Sequence, residues 1–212
     1  IIDAVGVKAF AYLEQCGFVQ RYGKKNVQQI MTIAGSKELS PLSSGAGRLF
    51  DAVSAMLGIC DVNSFEGEAA MALESYAQNG IDDEYQVELK RENGYTIVDF
   101  SRTVLDIFGD LANKIDRGVI AARFHNTIAS VIKTMVCDVS KRQGIADVAL
   151  SGGTFQNQYL LNRTSQLLEA DSLNVHVNQK VPCNDAGISL GQAYIIRERL
   201  RKFGVRIAEC GI

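Results

Sequence analysis

Residues 146–157 read Ala-Asp-Val-Ala-Leu-Ser-Gly-Gly-Thr-Phe-Gln-Asn, and residues 181–192 read Val-Pro-Cys-Asn-Asp-Ala-Gly-Ile-Ser-Leu-Gly-Gln. How these two stretches fold decides the architecture. In the first, the short apolar run Val148–Leu150 has the character of a buried strand. It stops at Ser151-Gly152-Gly153, and a helical pattern resumes from Phe155. Strand, glycine turn and helix start together make a place where backbone N–H groups can face an anion. Two adjacent glycines allow positive φ and close approach, because no Cβ stands between backbone and ligand. The second stretch repeats the logic. Leu173–Val177 is a strand candidate, a polar loop follows, and Asn184-Asp185-Ala186-Gly187 opens a helix running to about Phe203. Asn184 or Asp185 suits an N-cap, while an Asp in such a loop equally coordinates a metal on a phosphate. A plain glycine turn and a capped helix explain either piece taken alone. Two such turns in successive units place both at one crevice, outside the carboxyl ends of parallel strands.

From Ile145 onward the order is strand, helix, strand, helix: Asp147–Leu150, Gln158–Leu168, Asn174–Val177 and Ala186–Lys202. That alternation predicts parallel strands joined by crossover helices, hence an α/β fold. Upstream the chain is helical. Ala4–Cys16 carries an apolar stripe ended by Gly17, and Lys24–Ile33 turns Val27, Ile30 and Met31 inward. A glycine-bearing loop, 41–47, leads into Arg48–Leu57, with Leu49, Phe50, Val53, Met56 and Leu57 on one face. Asp51 sits beside that face, where a helix carboxylate is also favoured by the macrodipole. Ala69–Gln78 is a further helix, with Met71, Leu73 and Tyr76 apolar. The period then changes. Tyr85–Leu89 alternates, Asn93-Gly94 is a strong two-residue turn, and Tyr95–Phe100 follows, which reads as a hairpin. Thr103–Lys114 and Val119–Lys141 complete the helices, the latter with one long stripe from Ile120 to Val139. His125 lies on it, where a packed or hydrogen-bonded imidazole is more common than a ligand. The helical part is expected over about 1–80, and the hairpin with the α/β part over 81–212.

Composition narrows the function classes. The 212 residues are 47% hydrophobic and 22% charged, ordinary for a globular protein with a sizeable core. A net charge of -2 with no basic run gives no electrostatic case for nucleic acid. Cys16, Cys60, Cys137, Cys183 and Cys210 lie far apart with no C-x-x-C, which argues for a reducing compartment and a cytoplasmic location. No apolar segment reaches the length of a membrane span. The chain begins Ile1-Ile2 without Met, the mark of a piece of something longer.

Four blocks resemble the HypF-type hydrogenase maturation carbamoyltransferases. Leu42–Val53 is similar to their "SSAGRLFDAV" block, and Phe65–Glu74 to "YEGQAAMELE". Ala149–Asn157 is similar to "LSGGVFQN", and Asn184–Ala193 to "NDGGISLGQA". Ala121–Asn126 also looks like a family segment. The blocks keep their order and cover nearly the whole chain.

The resemblance implies a ribonuclease-H-like half of a Kae1-like domain, from the superfamily of actin, Hsp70 and the sugar kinases. It implies that carbamoyl phosphate and ATP are coupled through a carbamoyl-adenylate, and that the carbamoyl group passes to the C-terminal cysteine of HypE. By position, Asp51, Gly67, Glu74, Gly152, Gly153 and Asn157 become candidates for gripping ribose, base and phosphates. Asp185 becomes the candidate ligand of a divalent metal. The family's H-x-x-x-H metal pair has no counterpart here, since the two histidines are His125 and His176. The acylphosphatase-like, zinc-finger and YrdC-like domains of the family are likewise absent from this sequence. The expectation is therefore the C-terminal portion of a Kae1-like domain, whose partners are those domains and a HypE-type protein. The sister Kae1/TsaD family, which modifies a tRNA adenosine, shares the fold but not the "GRLFDAV" and "EGEAAMALE" pairing. A non-catalytic nucleotide-binding module is the third reading.

Overall fold

The computed structural model describes residues 8–36, 38–41 and 43–202. Its elements are the helices α1 (Ala9–Gln15), α2 (Phe18–Tyr22), α3 (Lys24–Ala34), α4 (Ala46–Met56) and α5 (Glu68–Tyr76), then a hairpin of β1 (Glu88–Glu92) and β2 (Tyr95–Asp99). There follow α6 (Ser101–Ala112), α7 (Arg117–Gln143), β3 (Asp147–Leu150), α8 (Gln158–Ala170), β4 (Asn174–Val177) and α9 (Ile188–Lys202). Single 3₁₀ turns, Gly153–Gln156 and Asp185–Gly187, precede α8 and α9. Val5, counted in the first apolar stripe, lies outside the described residues.

The scaffold is built on α7. Asp116 caps it, its side chain accepting from the Gly118 N–H at 2.8 Å, and Gly144 ends it in the left-handed conformation. Gly118 is required there. A Cβ would meet the Tyr76 carbonyl oxygen at 2.7 Å, so the start of α7 lies directly against the end of α5. The first half of α7 is buried all round, because Ala121, Ala122 and Ala129 let neighbours approach on every side. The stripe does not continue as the periodicity predicts: Met135 is 37% and Val139 50% exposed. Phe50 and Val53 of α4, Leu73 of α5, Ile107 and Phe108 of α6 and Leu160 of α8 pack with Ile120, Phe124 and Ile128 as one core. That core runs across the sequence boundary at residue 80.

Several expectations shift. Val27 and Met31 form the inward line of α3, while Ile30 falls off it and is 62% exposed. The segment Phe18–Tyr22, unassigned from sequence, is a short helix started by Gly17 at φ 78°. The first hairpin strand begins at Glu88 and not at Tyr85. Tyr85 is instead drawn into the core, its N–H donating to Thr127 Oγ1 at 2.8 Å and its hydroxyl to Asp110 at 2.7 Å. The Asn93-Gly94 turn has φ of 50° and 83°, the pair of positive values that matches a two-residue hairpin loop to strand twist.

β3 and β4 pair in parallel, Asp147 opposite Asn174 and Leu150 opposite Val177, with α8 as the crossover. Their carboxyl ends therefore lie side by side, and the two glycine-bearing loops leave from the same edge. None of the described helices is long and apolar enough to cross a membrane.

Candidate functional site

That edge opens onto a cleft of about 1010 Å³, at the upper end of the range for small-molecule sites. Three walls form it. The start of α4 contributes Gly45, Gly47, Arg48 and Asp51. The loop before α5 and its first turns contribute Asn63, Phe65, Glu66, Gly67, Met71 and Glu74. The third wall holds Gly153, Thr154 and Asn157 from the loop after β3, with Asn184 and Asp185 from the loop after β4. Thus Asp51, Gly67, Glu74, Gly153, Asn157 and Asp185, drawn from distant sequence blocks, face one volume. Gly152 stands behind the lining: its N–H donates to the Cys183 carbonyl at 2.8 Å, tying the two loops together.

The anion-facing donors are not where the strand–turn–helix pattern places them. All four N–H groups that open α8 are satisfied inside the protein. Glu74 Oε1 accepts from Gln158 at 2.6 Å and Tyr159 at 3.4 Å, Asn157 Oδ1 accepts from Leu160 at 2.8 Å, and the Asn157 carbonyl accepts from Leu161 at 2.9 Å. A helix start closed in this way has no donor left for a ligand. The donors that remain are one turn earlier. The Gly153 and Thr154 N–H groups have no acceptor among the described residues. Across the cleft, α4 begins without a side-chain cap, which leaves its first-turn N–H groups and Arg48 for a ligand or water.

Glu74 and Asn157 therefore hold structure as well as lining the cleft. Asn157 goes further, its Nδ2 donating to His125 Nε2 at 2.9 Å while His125 Nδ1 donates to the Ala121 carbonyl at 2.7 Å. The Asn157 cap fixes the orientation of its amide, and that in turn fixes the imidazole as the neutral Nδ1–H tautomer. His125 is fully buried among the rings of Phe50, Phe124 and Tyr159, and burial pushes its pKa down to about 4. It is a packed, hydrogen-bonded histidine, as its place on the helix predicts.

At the second loop, Asn184 is the cap: its side chain accepts from the Ala186 N–H at 3.1 Å. Asp185 is exposed and its side chain has no hydrogen bond or ion pair among the described residues, so its carboxylate is available to the cleft. It does not make a metal site by itself, since no group of three His, Cys, Asp or Glu among the described residues could hold an ion. Among those residues, Arg48 is the one cation in the lining, against the carboxylates of Asp51, Glu66, Glu74 and Asp185. Sequence reading passed over Arg48, Phe65, Met71 and Thr154. Met71 was expected among the apolar helix positions and is 59% exposed; Phe65 is 55% exposed on the same lip.

Residues 4–192 match the family model described as carbamoyltransferase, Kae1-like domain, second subdomain. The chain belongs to that family. It is 33% identical over 174 residues to the carbamoyltransferase HypF of Synechocystis, covering 82% of this chain and 21% of that protein. It is 33% identical over 203 residues to a HypF homolog of Cupriavidus necator, covering 88% of this chain and 50% of that protein. The chain thus spans between a fifth and a half of these relatives' length. Among solved structures, it superposes on full-length HypF in a phosphate- and nucleotide-bound form with a TM-score of 0.80 and 35% identity, over 93% of this chain and 26% of that one. The HypF of T. kodakarensis gives a TM-score of 0.68 at 26% identity, over 87% of this chain and 24% of that one. The fold is accordingly an α/β, Kae1-like subdomain.

Proposed function

We propose that this chain is the C-terminal portion of a HypF-type hydrogenase maturation carbamoyltransferase, and that its cleft holds ATP while a carbamoyl group is transferred. In this reading carbamoyl phosphate is hydrolysed to carbamate and phosphate, the carbamate attacks ATP to give a carbamoyl-adenylate and pyrophosphate, and the C-terminal cysteine of a HypE-type protein then accepts the carbamoyl group with release of AMP. The remaining acylphosphatase-like, zinc-finger and YrdC-like domains belong to the same longer polypeptide, in the cytoplasm. The observation that carries the reading is the convergence of Asp51, Gly67, Gly153 and Asp185 on one cleft in a chain similar to a nucleotide-bound HypF.

The roles follow from chemistry. Carboxylates accept hydrogen bonds from ribose hydroxyls, which suits Asp51 and Glu66. The exposed faces of Phe65 and Met71 suit a nucleobase. Phosphate oxygens suit the free N–H groups of Gly153 and Thr154 and the uncapped start of α4. Glu74 and Asn157 act mainly by holding α8 in place behind these contacts. A lining with more carboxylates than cations repels a bare triphosphate, so the phosphates would enter with a divalent cation, which neutralises charge and polarises the group under attack. Asp185 would supply one of its ligands.

The test is carbamoyl-phosphate-dependent ATP turnover, and transfer to a HypE-type cysteine, by the longer polypeptide with and without Asp51→Asn. Loss of turnover at preserved melting temperature is expected. Unchanged turnover would remove Asp51 from the site, and no turnover by the unmutated polypeptide would end the carbamoyl-transfer reading.

A further inference from the structure

Among the described residues, a buried polar chain through His125 is left unused by the proposed chemistry. It runs from the Ala121 carbonyl through His125 Nδ1–H and Nε2 to the Asn157 Nδ2–H, and from Asn157 Oδ1 to the Leu160 N–H. Between these ends, the His125 and Asn157 side chains each donate once and accept once in a consistent sense. It begins in the buried first half of α7 and ends where the cleft wall turns into α8. Asn157 follows directly on the 3₁₀ turn Gly153–Gln156, and its own N–H donates back to the Thr154 carbonyl at 3.3 Å. The orientation of Asn157 is therefore shared with the turn that presents the Gly153 and Thr154 N–H groups.

We propose that His125 is a positioning residue: acting through Asn157, it fixes the Gly153–Thr154 turn in the form that receives a phosphate. This rests on the nucleotide reading of the cleft. Packing alone does not need an imidazole at this place. The site is bounded by the rings of Phe50, Phe124 and Tyr159, and an apolar side chain would serve a purely hydrophobic contact. What only a buried acceptor supplies is a partner for the second half of the Asn157 amide. Without it, that amide has a reason to turn towards water and give up the cap of α8. The surrounding elements carry the charged and titratable groups Arg48 and Asp51 on α4, Glu68, Glu74 and Tyr76 on α5, and Tyr159, Arg163 and Glu169 on α8, and none of them hydrogen bonds to the imidazole. Tyr159 donates its hydroxyl to Asn126 Oδ1 at 3.4 Å, and Glu74 is taken by the α8 backbone. Among the described residues, only Asn157 addresses Nε2.

The experiment is nuclear magnetic resonance on the 212-residue chain with His125→Gln and His125→Leu. Gln offers an amide oxygen near the place of Nε2, whereas Leu offers no acceptor. In the unmutated chain, His125 should show the neutral Nδ1–H tautomer and a coupling across the hydrogen bond to Asn157 Nδ2. The chain has two histidines, which makes the assignment direct. In His125→Leu the amide resonances of Gly153, Thr154 and Leu160 should move, and the affinity for ATP with magnesium should fall about tenfold. In His125→Gln both should stay near the original. Unmoved resonances in a folded His125→Leu chain overturn the proposal, as does an equal loss in both variants. Should His125→Leu not fold, absence of the Asn157 coupling in the unmutated chain overturns it, and its presence together with rescue by Gln supports it. A lack of any response to ATP in the unmutated chain counts against the nucleotide reading, while the ligand-free resonances still decide the His125–Asn157 link.

Discussion

The Gly152 amide donates to the Cys183 carbonyl oxygen at 2.8 Å, so the loop after β3 and the loop after β4 are joined by backbone alone. Side chains on both loops can vary without separating them. The joint also explains why two neighbouring glycines have different duties. Gly152 sits at φ 104°, ψ 159°, a region closed to residues with a side chain, whereas Gly153 has ordinary dihedrals and open space where a Cβ would stand.

Gly152→Ala is expected to lower stability by roughly 1–3 kcal/mol through backbone strain. Gly153→Ala should change it by less than about 0.5 kcal/mol. Its methyl group would nevertheless stand beside the free N–H donors, and ATP affinity should fall. Melting curves and ATP titrations of the two variants check this; normal binding by Gly153→Ala would take the turn out of the phosphate site.

Asn184 and Asp185 separate in the same manner. Asn184→Ala removes the cap and should lower stability by about 0.5–2 kcal/mol. Asp185 caps nothing, so Asp185→Ala and Asp185→Asn should both melt normally. Transfer by the longer polypeptide should fall steeply in both, a neutral amide being a poor partner for a hard cation. Normal transfer by Asp185→Asn would end the metal-ligand assignment.

Glu74 supports the first turn of α8 through two backbone N–H groups. Glu74→Ala should lower stability by about 0.5–2 kcal/mol, and Glu74→Gln by about 0.3–1 kcal/mol, since the oxygen is kept and the charge at the helix start is lost. A Glu74→Gln chain with an unchanged melting temperature but weakened nucleotide binding would show that the carboxylate serves the ligand more than the helix.

Acid should act through His125. Folded, it takes up its proton near pH 4, against 6.5 for an unhindered imidazole. Between these values the unfolded chain binds more protons than the folded one, so stability is full above about 6.5 and falls as the pH drops towards 4. The slope is at most about 1.4 kcal/mol per pH unit. Urea unfolding at pH 7 and pH 5 should show the loss, and His125→Gln should flatten it. An equally steep loss in that variant would place the titrating group elsewhere.

The parts of this molecule legible in the sequence are those governed by local rules. Strand, glycine turn and helix around Gly152, the Asn93-Gly94 hairpin loop and the stripe on α4 all depend on residues within one turn of each other. The convergence of Asp51, Glu74 and Asp185 on one cleft came from matching blocks, because no periodicity links positions so far apart. What stayed hidden depends on contacts across the chain. Tyr85 alternates like a strand residue until Thr127 and Asp110 claim its polar groups. Glu74 reads as a surface acid until the start of α8 is brought against it. Asn157 reads as a ligand residue, and only the structure shows that its oxygen caps α8 and its amide nitrogen goes to the imidazole on α7.

α9 has no buried residue, although Ile188, Tyr194, Ile195 and Ile196 lie along it, and among the described residues it meets the molecule chiefly at the turn Asp185–Gly187. The two sides of the cleft are therefore held in different ways. Gly153 and Thr154 are backed by α8 and the buried core, while Asp185, two residues beyond Cys183, is kept beside them by the Gly152–Cys183 backbone hydrogen bond. α9 buries nothing that would add to this hold, so the distance between the carboxylate and the glycine turn is set chiefly at that joint.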